Sequence, residues 1–194
     1  MNELINRIQN RLATTNIPAT FPPVSEGVLV ETEKILGFKI PPLLRLIYAN
    51  VANGGFGPGY GIIGIEGGSP SDLGTLVETH AEINRAAQYL ELEWRTGLLA
   101  FCAWGCNIFS CADCNDPRYP IIQSEECKTY AQSYTLEDFF GMWLDDVNIW
   151  KVSNSSRRTA GRTVEIINPF TGKKTRVTGG SGPKGPADQR GEVK

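Results

Sequence analysis

The 194-residue chain carries one histidine, His80, and no Gly-x-Ser-x-Gly stretch. A Ser–His or Cys–His hydrolytic site would have to use that single imidazole. It sits in a helically periodic run, where a histidine is ordinarily packed or solvated. No run of about 18 apolar residues occurs, so no membrane-spanning helix is expected. The opening residues, MNELINRIQNRLATTN, are charged and lack an apolar h-region. No secretory signal is therefore expected, and the expected compartment is the cytoplasm. The cysteines number five, an odd count, and four crowd into Cys102–Cys114. A secreted disulfide framework would spread an even number along the chain.

Glycine is abundant instead. Eight of the fifteen residues from Gly54 to Gly68 are glycine, and Gly59–Gly64 spells G-x-G-x-x-G. A dinucleotide-binding loop must leave a strand and enter a helix, so that free helix N–H groups meet the phosphates. Here a helical pattern precedes the glycines and the strand-like YGIIGI follows them. No ribose-binding acid in a βαβ context follows either. The run is expected to be a tight helix-to-strand connection, pinned to the core by Phe56, Tyr60 and Ile62.

Helical periodicity marks Leu4, Ile5, Ile8 and Leu12, then SEGVLVETEKILG with Ser25 as its cap and Gly37 as its stop. In the second of these helices Val28, Thr32, Ile35 and Leu36 are expected on one face. After FKIPP, the residues Leu43, Leu44, Ile47, Tyr48 and Val51 form a third stripe. TLVETHAEINRAAQYLELEW is a fourth helix, with Leu76, Ile83, Ala87 and Leu90 inward. GLLAFCAW, NIFSCAD and YPIIQS read as a meander of antiparallel strands. TLEDFFGMWLDDVN closes the set, with a Thr135/Asp138 capping box. Leu136, Phe139, Phe140, Trp143, Leu144 and Val147 share its apolar face. Burying six such side chains contributes on the order of 9–18 kcal/mol gross. Gly141 on this helix is expected to permit close packing.

Four thiols at C-x3-C-x4-C-x2-C spacing, Cys102, Cys106, Cys111 and Cys114, are the most tempting chemical feature. Zinc sites usually draw two close pairs from separate knuckles. A strand would point Cys106 and Cys111 to opposite sides. A redox pair at Cys111–Cys114 would need a helix start, which Pro117 and Pro120 disfavour. Buried free thiols are the expected outcome, and no cofactor is expected. The acidic pairs Asp145–Asp146 and Glu125–Glu126 read as solvated faces.

Charge is divided unevenly. Residues 1–150 hold 9 Lys and Arg against 18 Asp and Glu, a net −9, whereas residues 151–194 hold 10 against 3, a net +7. An acidic body attracts basic partners. The basic segment has one aromatic, Phe170, too few for a stacking platform, so nucleic acid is not the expected partner. Composition places a body over 1–151, a linker over 152–162, a β-hairpin over 163–179 that folds back on the sheet edge, and a disordered basic tail over 180–194.

The segment Glu31–Gly55 resembles the SUKH superfamily, which includes bacterial immunity proteins and yeast cell-wall synthesis regulators. The matching features are Glu33, Leu36-Gly37, Pro41 and Asn53-Gly54-Gly55. The aromatic-glycine segment, the WGC…FSC hairpin and the Phe/Trp-rich last helix extend the resemblance over residues 20–150. It implies an α+β fold, an antiparallel sheet of four to six strands packed by several helices. It implies no catalysis, and often the neutralisation of a toxin domain such as a nuclease. A basic toxin domain is then the expected partner, with Asn53, Tyr60, Trp104, Asp113, Asp116, Asp145 and Asp146 as expected contact residues. The alternatives are a regulatory scaffold binding a cellular protein and a thiol or zinc enzyme.

Overall fold

The computed structural model of the chain describes residues 1–15, 21–92 and 94–154 with their side chains, and the backbone of 155–159, 163–167 and 174–178. Two compact units are present, Met1–Ser153 and Asn154–Lys194. The first contains helices α1 (Asn2–Thr14), α2 (Glu26–Leu36), α3 (Pro42–Asn50), α4 (Leu76–Tyr89) and α5 (Leu136–Leu144). Its strands are β1 (Gly61–Ile62), β2 (Leu98–Gly105), β3 (Ile108–Asp113), β4 (Pro120–Glu125) and β5 (Lys128–Thr135). They form one antiparallel sheet in the order β1-β2-β3-β4-β5, giving an α+β fold. No described helix is long and apolar enough to cross a membrane.

Two hairpins set the sheet register. Cys106-Asn107 and Glu126-Cys127 form two-residue loops in which both residues have φ between 49° and 62°. They close the pairs Gly105↔Ile108 and Glu125↔Lys128. Left-handed two-residue loops match the twist of antiparallel strands. Strand β5 was not expected: its inward positions are Gln132 and Tyr134, so it shows no apolar alternation.

The core joins Leu29, Leu44, Ile47, Tyr48 and Ile65 to Phe101 of β2 and to Phe139 and Phe140 of α5. The ring of Phe101 meets that of Phe139 edge-on at 5.1 Å. Helix α5 starts with the full capping box between Thr135 and Asp138. Four of its six expected inward residues are buried, so its gross apolar contribution is about 6–12 kcal/mol. Leu144 is half-buried, and Val147 is exposed because the helix stops at Leu144. Gly141 does not serve close packing, since a side chain there would meet nothing within 4 Å.

The α2 stripe also runs differently from expectation. Leu29, Thr32, Glu33 and Leu36 are buried, whereas Ile35 is exposed. The shift places Glu33 inward, where its carboxylate accepts from the Ile40 N–H at 3.3 Å and pairs with Lys39 at 2.6 Å and Arg45 at 3.5 Å. This acid ties the end of α2 to the start of α3. Ser25 precedes α2 without a side-chain capping bond. Helix α4 ends at Tyr89, leaving Leu90 half exposed rather than inward.

The glycine run is a structural frame. The Asn53 side chain accepts from the Ile65 N–H at 2.8 Å and donates to the carbonyl of Glu66 at 3.0 Å. Gly68 passes directly beneath it, and a Cβ there would lie 2.5 Å from both Asn53 oxygens. Only a residue without a side chain allows that approach.

The segment expected as a linker begins in helix α6, Ile149–Thr159. Ile149 and Ser153 are buried, and Ser153 shares a 2.6 Å hydroxyl hydrogen bond with Tyr134 of β5. In the second unit, β6 (Thr163–Ile167) and β7 (Lys174–Thr178) pair antiparallel in a two-stranded sheet of their own. Both strands fall within 163–179, the span expected as a hairpin, and residues 168–173 between them lie outside the described residues. The expected disordered tail, 180–194, lies outside the described residues.

Candidate partner-binding surface

The seven expected contact residues separate into four places. Asn53 is 1% exposed and spends its polar atoms inside the glycine frame, which corrects its expected role in contact. Asp113 is buried at the far end of β3, ion-paired with Arg95 and accepting from the Asn115 N–H at 3.1 Å. Asp116, just beyond, pairs with Arg118 at 2.8 Å. Five strand steps separate Asp113 from the hairpin end of β3, roughly 17 Å. Asp145 and Asp146 follow α5 and meet Arg7 at 2.6 Å and Arg11 at 2.5 Å on α1. Arg11 also donates to the Leu144 carbonyl at 3.1 Å and lies 4.9 Å from the Trp143 ring centre. These acids already have cations on the same molecule.

Tyr60 and Trp104 do come together. The Tyr60 N–H donates to the Ala103 carbonyl at 2.9 Å. Its ring lies over Gly105, where an added Cβ would stand 2.5 Å from Cε2. Tyr60 is nonetheless 78% exposed, so it is held without being covered, which corrects its expected place in the core. Trp104 donates from Nε1 to Ser110 Oγ at 2.9 Å and packs 5.6 Å from Trp150, itself 37% exposed. Sequence reasoning missed Trp150, which falls at the very end of the expected body, 1–151, while the rest of α6 was read as linker. Exposed tyrosine and tryptophan on a rigid frame are typical anchors of protein interfaces.

A cleft of about 340 Å³ opens beside Tyr60, lined by Tyr60, Ile63, Pro70, Asp72 and Ala103 among others. Asp72 was also missed. Its signal was available: residues 46–84 contain four acids and neither lysine nor arginine. Glu78 is used in the α4 capping box and Glu82 pairs with Arg85. Glu66 and Asp72 are exposed, and among the described residues neither has an ion pair. A second, more apolar groove of about 590 Å³ lies between α4 and the hairpin turns, lined by Ile83, Leu90, Phe109 and Cys127 with Glu126 and Lys128.

The thiols do not converge. Cys102 and Cys111 are buried, Cys106 is exposed in its turn, and Cys114 is intermediate. Burial pushes the Cys102 and Cys111 thiols far up and that of Cys114 up to about 12, away from the nucleophilic thiolate. Among the described residues no group of three or more His, Cys, Asp or Glu is placed to hold a metal ion. His80 packs edge-on against Phe38 at 5.5 Å, and burial lowers its pKa. A scan of protein-family models and a search of curated proteins each return no match to the chain.

Proposed function

We propose that the chain is a non-catalytic protein-binding domain of the SUKH immunity type, which neutralises a basic toxin domain. The observation that carries this reading is the pair of exposed rings Tyr60 and Trp150 next to the half-buried Trp104 at the end of β2, with Tyr60 inside a 39-residue run that has acids and no lysine or arginine. Aromatic anchors give contact area at low entropic cost, and unpaired acids steer a basic partner toward them. The excess of nine acids over residues 1–150 extends that steering across the body.

The test is co-expression with the variable C-terminal domain of a large secreted protein encoded beside this gene. That domain alone should kill the host cell, and the chain should rescue it. Death in the presence of soluble, well-expressed chain would overturn the proposal. Pull-down of a housekeeping protein without any rescue would favour the scaffold alternative.

A further inference from the structure

We infer that the cleft between Tyr60 and Asp72 receives an arginine side chain of the basic partner, the ring taking one face of the guanidinium and the carboxylate its edge. This inference rests on the protein-binding reading above and adds the chemistry of the anchor. Three features of the cleft lead to it.

The first is fixed geometry on both walls. Tyr60 is held by its own N–H and by the backbone of Gly105 beneath its ring. Asp72 sits in a turn in which Ser71 and Gly74 exchange backbone hydrogen bonds of 2.8 and 3.0 Å, while the Leu73 N–H donates to Ser71 Oγ at 3.0 Å. Ser71 Oγ is bridged in turn to Thr79 Oγ1 of α4 at 2.7 Å. A receptor held in shape before binding loses little freedom on binding.

The second is unspent charge. Among the described residues Asp72 has no cation, whereas Asp113, Asp116, Asp145 and Asp146 all have one. The third is size and composition. The cleft of about 340 Å³ stands at the small end of the roughly 300–1,000 Å³ range of ligand pockets. It suits one long side chain. An aromatic face together with a carboxylate selects a planar cation: guanidinium stacks flat and presents paired N–H donors, which ammonium cannot do.

The experiment titrates the full isotope-labelled chain with a blocked Gly-Arg-Gly peptide and with the same peptide carrying neutral citrulline. Amide shifts at Tyr60, Gly61, Ser71 and Asp72 should saturate with the arginine peptide. The citrulline peptide should bind about threefold more weakly or worse. Asp72→Asn should erase that preference, Tyr60→Ala should weaken both peptides, and Tyr60→Phe should restore binding because the ring remains. Equal affinity for the two peptides overturns the inference. So does saturation at other residues, the absence of saturation, or an unchanged preference in Asp72→Asn. Both positions are exposed, and the spectrum itself reports whether each variant folds. Rescue of cells by Asp72→Asn and Tyr60→Ala as good as by the unaltered chain removes the cleft and leaves the immunity reading standing. Failure of the unaltered chain to rescue removes the immunity reading, while the peptide titration still decides the cleft.

Discussion

Two acidic regions of the body differ in one respect that decides what each can do. At the end of α5, Asp145 and Asp146 are 63% and 79% exposed by side chain, yet both are held by arginines of α1. Along the glycine loop, Glu66 and Asp72 are exposed with no such pair among the described residues. The first pair fastens one helix to another, with Arg11 adding a carbonyl bond and a tryptophan face. The second keeps its charge available. Exposure alone does not distinguish a fastener from a recognition element; the pairing state does.

The sharpest way to break this contrast is to collapse the frame that presents the loop acids. Gly68→Ala drives a methyl into Asn53, and an expected loss of about 3 kcal/mol in urea-monitored stability checks it. Asn53→Ala should cost about 2 kcal/mol by leaving the buried Ile65 N–H unpaired. A change below about 0.5 kcal/mol in both would mean the glycines are not a buttress. Arg11→Ala comes next, at about 1–2 kcal/mol, because it removes an ion pair, a helix-end hydrogen bond and a contact with Trp143 together. Asp72→Asn should leave thermal stability unchanged, whereas Asp146→Asn should lower the melting temperature slightly at low salt and not at high salt.

Acid should reveal the smallest difference. The hydrogen bond and charge of Arg118 hold the Asp116 carboxyl down to about 2 from 3.8, and Arg11 lowers Asp146 in the same way. Depressed carboxyl values make the stabilisation complete above the unfolded value near 3.8 and lost as pH falls toward about 2. Asp116→Asn should flatten part of that limb in an acid-unfolding curve. His80 acts at higher pH. Its buried ring has a lowered pKa, so stability is full above the ordinary 6.5 and declines as pH falls below it. His80→Leu should remove that step.

Much of the frame was legible in the sequence because the relevant signals are local. The capping box of α5, the stop at Gly37 and the short, almost continuously buried runs of β2 to β4 each depend on a few adjacent residues. Strand β5 was hidden because its inward side mixes Gln132 with Tyr134 and its turn is Glu-Cys, which no composition rule marks as left-handed. The candidate surface was half legible. Tyr60 and Trp104 stood out as aromatics beside glycine and a hairpin turn. The expected acids were chosen by charge, and charge in a sequence does not say which carboxylates the fold neutralises. That requires knowing that α1 lies along α5, a contact between residues more than a hundred positions apart. Trp150 was lost because it stands at the edge of the expected body and the Ser, Asn and Arg that continue its helix share their composition with linkers, so no helix was expected there.

The distribution of the sulfur atoms gives the molecule a ready-made reporter. Cys106 stands in the open at the tip of the β2–β3 hairpin, one turn from Trp104, while Cys102 and Cys111 are shut inside and resist ionisation. A maleimide dye should therefore attach first at Cys106 in the native, unmutated protein. Its emission would then register, without further engineering, anything that settles on the neighbouring aromatic rings.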